Sequence, residues 1–193
     1  MNLSGKKLLK YPVAVISARG GSTRLKNKNI LTVFGKPMIY WSICAAKKSK
    51  YIKDIFVSSD SIKILNICKQ YNVKLIKRKK KLAKDSVPKI NVVRNAIKII
   101  EKTKKPTLII SLQANSPEIR NIHIDRAIDH LIKYDRHEVI SVDKNNNQDA
   151  AIRILKYKAL FNNSLSSYVG FVKTNLIDVH FKKDLKKIKM NVQ

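Results

Sequence analysis

Apolar residues recur along this chain in two patterns that alternate with each other. Short, nearly continuous apolar runs are typical of strands buried on both faces of a sheet. Five such runs occur, and they are Val13–Ser17, Ile55–Ser58, Lys74–Ile76, Thr107–Leu112 and Val139–Val142.

Longer segments with helical spacing fill the gaps between these runs. The first follows Pro37, which fits the first turn of a helix, and extends through Ala46. Asp60 or Ser61 can cap the next helix. Two further helices are predicted, with inward faces formed by Val93, Ala96, Ile97 and Ile100 in Lys89–Glu101, and by Ile124, Ala127, Ile128 and Leu131 in Ile122–Lys133.

Strands that alternate with helices of this length predict βαβ units. We therefore expect an α/β fold, a Rossmann-like three-layer α/β/α arrangement with a mostly parallel sheet. Residues 1–193 contain no Pro-rich or Gly-rich linker, which predicts a single domain.

The pattern is weaker beyond Val142. It predicts a polar turn at Asn145–Asn147, short strands at Ala151–Leu155 and Ser167–Val172, and a closing helix at Lys183–Met190.

The loop after the first strand carries the strongest chemical signal. Gly20 and Gly21 allow backbone N–H groups to approach an anion, and four cations follow or precede them, namely Arg19, Arg24, Lys26 and Lys28. The loop matches neither the Walker pattern nor the dinucleotide fingerprint. It indicates a polyphosphate site, and a solvated surface turn is the alternative.

The full string ARGGSTRLKNKNI (residues 18–30), followed by FGKPMIYWSI (34–43), resembles the amino-terminal signature of the acylneuraminate cytidylyltransferase family. The resemblance continues, in order, with FVSSD (56–60), LAKDS (82–86), LQANSPEIR (112–120) and IDVHFKKDL (177–185). It implies a nucleotidyltransferase fold and transfer of CMP from CTP to an acidic sugar, for surface polysaccharide or glycan synthesis.

The resemblance also implies roles for individual residues. Those expected to bind the nucleotide are Ala18, Arg19, Gly20, Gly21, Ser22, Lys28, Asn29, Arg78 and Gln113. Among them Arg19, Lys28 and Gln113 are the expected catalytic residues. Arg24 is weighed equally as a phosphate contact and as a surface cation.

Mg²⁺ is the expected cofactor, and Asp178 is its expected ligand, because IDVHFKKDL resembles the family's DxD metal-binding stretch. His180 stands where the second aspartate is expected, although imidazole is a poor ligand for a hard cation. Asn115 replaces an aspartate that binds magnesium in the branch specific for 3-deoxy-manno-octulosonate, and this points to the sialate branch. Asp184 is interpreted as a cap of the last helix.

The segment between Val142 and Ile177 is shorter than in typical CMP-sialate synthetases, which carry a sugar-contacting region and a dimerisation arm there. Tyr168, Lys173 and the turn at Asn145–Asp149 are the nearby candidates for contacts with the sugar. A homodimer is left open.

The formal net charge of +28 could indicate a nucleic-acid partner. Only eight of the 41 Lys and Arg residues are Arg, however, and the lysines are spread over most predicted surfaces. We therefore expect no nucleic-acid partner, and we interpret the basic run KRKKKLAK (77–84) as a solvated loop near the nucleotide.

Cys44 and Cys68 lie in helical patterns without metal-ligand spacing and are expected to be reduced. No run is long and apolar enough for a signal peptide or a membrane span, so a cytoplasmic protein without a membrane partner is expected.

Two alternatives to the CMP-sugar synthetase remain. One is a nucleotidyltransferase with another nucleotide or sugar, and base selection would distinguish it. The other is a non-catalytic homologue that binds nucleotide, or a nucleic acid with steep salt dependence, and shows no turnover.

Overall fold

A computed structural model describes residues 3–162 and 166–188. Its strands are β1 (Pro12–Ser17), β2 (Thr32–Val33), β3 (Lys36–Pro37), β4 (Asp54–Ser59), β5 (Lys74–Lys77), β6 (Leu108–Gln113), β7 (Glu138–Val142), β8 (Gln148–Lys156) and β9 (Val169–Lys173). Its α-helices are α1 (Leu3–Leu8), α2 (Met38–Lys48), α3 (Ile62–Lys69), α4 (Lys89–Ile100), α5 (Asn121–Lys133) and α6 (Tyr157–Phe161). Short 3₁₀ helices span Lys28–Ile30, Lys80–Ala83 and Lys182–Lys186.

Seven strands form one sheet in the order β5-β4-β1-β6-β8-β7-β9. β1 lies parallel to both β4 and β6, with Val15 opposite Phe56 on one side and Ser111 on the other. β8 is antiparallel to β6 and to β7. The predicted mostly parallel sheet is confirmed, and β8 departs from it because the tight turn after β7 reverses the chain direction.

Alternate residues of the central strand face two separate cores. Ala14 and Ile16 pack with the apolar faces of α2, α3 and α5, whereas Val13 and Val15 pack with α4 and α6. The sheet is therefore covered by helices on both faces, as the three-layer prediction requires. The residues predicted to face inward from α4 and α5 are buried in these cores.

A third, smaller core lies below the loop that follows β1. Val33, Met38 and Val179 are buried there, and Leu25, Leu31 and Leu185 pack against them. This cluster fixes the β2–β3 ribbon and the carboxyl-terminal segment against the same end of α2. The ribbon turns through Phe34 and Gly35, both with positive φ, as a tight two-residue hairpin requires.

Helix ends differ from the prediction in two places. Pro37 precedes the first residue of α2 and does not lie in its first turn. Of the two predicted caps of α3, Ser61 is the one used, and it accepts the N–H of Ile64 at 3.4 Å. The predicted closing helix is a 3₁₀ helix, Lys182–Lys186, and its last two predicted residues lie outside the described residues.

Within the described ranges, no helix is both long enough and apolar enough to cross a bilayer.

Candidate functional site

A cleft of about 240 Å³ opens at the carboxyl ends of β1 and β6, where loops from several strands meet. This is the edge at which open α/β sheets bind ligands. Six cationic residues line it, namely Arg19, Arg24, Lys28, Arg78, Lys84 and Lys89. Asp85 carries the only carboxylate among the described lining residues. The cleft is therefore a site for a strongly anionic ligand.

The loop after β1 places Arg19, Ser22 and Lys28 in the cleft wall. The side-chain amide of Asn29, which is 5% exposed, donates to the carbonyl of Arg19 at 3.0 Å. Burial lowers the pKa of Lys28, and the nearby cations Arg24 and Arg19 lower it further, whereas the charge of Asp178 raises it. An anion between these cations would relieve their mutual repulsion.

Ala18, Gly20 and Gly21 hold this loop but do not line the cleft. The N–H of Ala18 donates to the carbonyl of Ser58 at 3.0 Å, and the N–H of Gly20 donates to Oδ1 of Asp60 at 3.1 Å. A Cβ on Gly20 would lie 2.7 Å from Cβ of Ser61, whereas a Cβ on Gly21 would meet nothing within 4 Å. Gly20 is thus needed where the loop passes the start of α3, which is a packing reason that we did not predict.

Arg78 reaches the cleft from the end of β5, as predicted. Its side chain is 3% exposed, and Nη2 lies 3.3 Å from Oδ1 of Asp60. Burial lowers the pKa of Arg78, while Asp60 opposes this effect. Nε of Arg78 is buried and has no hydrogen-bond partner among the described residues.

Gln113, the last residue of β6, lines the opposite wall. Its carbonyl accepts the hydroxyl of Ser42 at 2.5 Å. Asn115 also lines the cleft. Its side-chain amide donates to the carbonyl of Val179 at 3.1 Å, and its backbone carbonyl accepts the N–H of Val179 at 2.9 Å. Asn115 therefore ties the carboxyl-terminal segment to the end of β6.

Asp178 immediately precedes Val179, the residue to which Asn115 is hydrogen-bonded. It does not line the cleft, and its Oδ1 accepts the hydroxyl of Ser116. Burial raises the pKa of Asp178, and the hydrogen bond from Ser116 and the charges of Lys89 and Lys28 oppose this rise. The same environment lowers the pKa of Lys89, with burial as the main cause.

The described residues contain no group of three or more His, Cys, Asp or Glu side chains able to hold a metal ion. His180 lines the cleft, and burial together with Lys28 and Arg24 lowers its pKa. Asp184 instead accepts the backbone N–H groups of His180 and Phe181 at 2.9 and 2.8 Å, so it caps the last 3₁₀ helix. Asp178, the carboxylate expected to bind Mg²⁺, is hydrogen-bonded to Ser116 and is not among the residues that line the cleft.

Lys84, Asp85 and Lys89 belong to the cleft but were not predicted as site residues. Lys84 and Asp85 lie within LAKDS (82–86), one of the motifs that carry the resemblance, whereas Lys89 begins α4 three residues after it. That motif was the signal in the sequence from which Lys84 and Asp85 could have been predicted. How closely this segment approaches the loop after β1 depends on how α4 packs on the sheet, which the local sequence does not specify.

The sugar-contact candidates separate in the structure. The turn at Asn145–Asp149 and Lys173 lie at the same edge of the sheet as the cleft, because β7 and β9 both end there. Tyr168 precedes β9 and therefore lies at the opposite edge, where its ring stacks on His137 with centroids 5.0 Å apart.

Comparison with known proteins identifies the relatives of this chain. The sequence pattern of the Cytidylyltransferase family matches residues 13–185. N-acylneuraminate cytidylyltransferase of Streptococcus agalactiae is 33% identical over 132 residues, which cover 67% of this chain and 31% of that protein. A Helicobacter pylori protein named for pseudaminic acid cytidylyltransferase and a second, hydrolase activity is 29% identical over 171 residues, covering 88% and 30%. The chain spans about a third of the length of these curated relatives.

Solved structures share the fold at low sequence identity. CMP:2-keto-3-deoxy-manno-octonic acid synthetase, solved in complex with CTP, superposes with a TM-score of 0.73 at 16% identity, covering 92% of this chain and 96% of that one. A nucleotidyl transferase from Methanothermobacter superposes with a TM-score of 0.72 at 12% identity, covering 92% and 95%.

Proposed function

The chain belongs to the cytidylyltransferase family, and from this we propose that it transfers CMP from CTP to the anomeric hydroxyl of an acidic sugar. The acceptor is a sialic or other nonulosonic acid, and pyrophosphate is the second product. The observation that carries the proposal is the cleft itself, in which six cations converge at the carboxyl ends of the central strands. The relatives named for sialate and pseudaminate activation support the choice of acceptor.

The chemistry needs the triphosphate to be held and its charge to be offset. The 2-hydroxyl oxygen of the sugar attacks the α-phosphorus and releases its proton to solvent, the bond from that phosphorus to the bridging oxygen breaks, and pyrophosphate leaves. Negative charge on the phosphate oxygens increases in this step, so cations fixed near them lower the barrier. We assign this role to Arg19 and Lys28, with Ser22 and Asn29 shaping the loop and Arg78 donating to the nucleotide.

Gln113 has both a donor and an acceptor on its side chain, and it ends the strand next to β1. We propose that it orients the ribose or the sugar for in-line attack. A carboxylated sugar also suits a cationic cleft, where Lys84 and Lys89 add charge.

We propose Mg²⁺ as the cofactor and Asp178 as its one protein carboxylate. The ion would supply positive charge to the phosphate oxygens. Asp178 adjoins the cleft and interacts electrostatically with Lys28, which lines it. Asn115 and His180 offer no second carboxylate, so most of the ligands must come from the triphosphate and water.

Two further expectations belong to the proposal. The product would supply surface polysaccharide or glycan synthesis, and the enzyme would work in the cytoplasm where CTP is made. A nucleic-acid partner is not part of the proposal.

Product identification tests the proposal. The protein is incubated with CTP, Mg²⁺ and one sugar acid at a time, and mass spectrometry searches for the CMP-sugar. A CMP-sugar with one nonulosonic acid supports the proposal and names the substrate. CTP binding without any CMP-sugar across the panel would instead support a non-catalytic nucleotide-binding homologue.

A further inference from the structure

Asp85 carries the only carboxylate among the described residues that line the cleft, and it is paired with Arg19. The two residues come from different loops, one after β1 and the other before α4. We propose that Asp85 is a built-in competitor of the triphosphate, occupying the guanidinium of Arg19 until the nucleotide displaces it. This inference rests on the proposed function only in naming the triphosphate as the displacing anion.

The charges of the cleft explain why such a competitor would be useful. Burial is the main cause that lowers the pKa of Lys28, and the neighbouring cations Arg24 and Arg19 lower it further, so both interact unfavourably with Lys28. One carboxylate on Arg19 reduces this repulsion without neutralising the cleft. A triphosphate, which carries about four negative charges at neutral pH, can form more ion pairs here than a single carboxylate can.

The exposure of the pair indicates that it is exchangeable. The side chains of Arg19 and Asp85 are 28% and 64% exposed. Ion pairs between exposed side chains contribute little to stability, because water and salt screen them. An anion that binds several groups of the cleft at once can therefore break the pair at little cost.

The second carboxylate near the loop behaves differently. Asp60 is 16% exposed, accepts the N–H of Gly20 at 3.1 Å and contacts the buried guanidinium of Arg78 at 3.3 Å. Its partners fix it in place, so it holds the loop in shape. Asp85 instead lies in residues 79–88, a segment in which no residue is buried. Few apolar contacts fix this segment to the rest of the protein. The ion pair between Asp85 and Arg19 can therefore open without disturbing the core.

The test measures binding of inorganic tripolyphosphate by calorimetry in wild type, Asp85→Asn, Arg19→Ala and the double variant. Tripolyphosphate probes the anion site without the base, the sugar or turnover. We expect Asp85→Asn to tighten binding roughly twofold to fivefold, in proportion to the contribution of an exposed ion pair. In the Arg19→Ala background the same change should have much less effect.

Asp184→Asn is the matched control, since it removes an equal charge near the cleft but retains the oxygen that accepts the N–H groups of His180 and Phe181. A gain for Asp85→Asn that exceeds this control and depends on Arg19 supports the competitor. Equal gains for both variants, an undiminished gain without Arg19, weaker binding by Asp85→Asn, or no tripolyphosphate binding by wild type would each overturn it. Absence of CMP-sugar formation would refute the proposed function and leave this result standing.

Discussion

Gly20 and Gly21 are neighbours in the sequence but have different reasons to be glycine. Gly20 passes so close to Ser61 that a Cβ would lie 2.7 Å from that side chain's Cβ, and Gly21 faces open space. The sequence suggested one reason for both, namely access of an anion to the backbone. The structure instead places the Gly20 N–H on Asp60, because the loop must pass the first turn of α3.

We therefore predict unequal effects of alanine at these two positions. Gly20→Ala should lower the free energy of unfolding by about 1–3 kcal/mol, as overpacking does, and should weaken CTP binding because the loop must shift. Gly21→Ala should change the free energy of unfolding by less than about 1 kcal/mol, because the backbone of Gly21 is not left-handed. Urea denaturation measures both variants. Equal destabilisation of the two would show that the close approach to Ser61 is not the constraint.

Arg19 lines the cleft and is the proposed phosphate contact. Arg19→Ala should raise the dissociation constant of CTP roughly 10- to 100-fold, the usual worth of a charged hydrogen bond. Calorimetric titration measures it, with Arg126→Ala on the exposed face of α5 as the matched loss of an arginine. Unchanged affinity in Arg19→Ala would refute the assignment of the phosphate loop.

Asp178 is the proposed magnesium ligand although it lies behind the cleft wall. Asp178→Asn should lower kcat more than about tenfold and change CTP affinity less than about threefold, because the metal acts mainly in the transition state. Asp129→Asn, on the surface of α5, removes a carboxylate far from the chemistry. Normal Mg²⁺-dependent rates in Asp178→Asn would remove Asp178 as a ligand.

At the scale of elements, the amino-terminal end of α5 contains a titratable contact. Nδ1 of His123 accepts the N–H of Arg120 at 3.2 Å, so it must be unprotonated. Burial, Arg120 and Arg126 lower the pKa of His123 from its ordinary value of 6.5 to about 4. Between these two pH values the unfolded chain binds more protons than the folded one, so stability must rise with pH across that window.

We predict that the unfolding free energy falls as the pH drops from about 6.5 to 4, by at most about 3 kcal/mol from this histidine. His123→Asn keeps an acceptor but cannot titrate there, and should flatten that part of the profile. His137→Asn leaves the contact intact and should keep the wild-type slope. Urea denaturation at a series of pH values measures all three, and an unchanged slope in His123→Asn would contradict the account.

The elements were predictable where their apolar pattern was long and regular. The strands β1, β4, β5, β6 and β7 and the inward faces of α4 and α5 follow from it directly. The short 3₁₀ helix near the carboxyl end was not predictable from the apolar pattern. Asp184 caps it, and Leu185 and Ile188 pack on a small separate core. The wall of the cleft formed by Lys84, Asp85 and Lys89 also escaped prediction, since it depends on how distant segments pack.

At the scale of the whole molecule, the positive charge is both general and local. Many lysines lie on outer surfaces away from the cleft, such as Lys104 over the ring of Tyr11 and Lys105 over that of Tyr157, at 4.2 and 4.3 Å. The cleft differs from these surfaces because its cations converge on one volume at the end of the sheet. The proposed function therefore depends on the arrangement of charge in the cleft and not on the total charge of the chain.

Mg²⁺-dependent release of pyrophosphate from CTP, measured with a panel of nonulosonic and related sugar acids, tests this account most directly. ATP, GTP and UTP serve as controls for the base. We predict release that requires CTP, Mg²⁺ and one of the sugar acids together. No release with any sugar acid, while CTP binding is demonstrated on the same preparation, would contradict the assignment as a CMP-sugar synthetase.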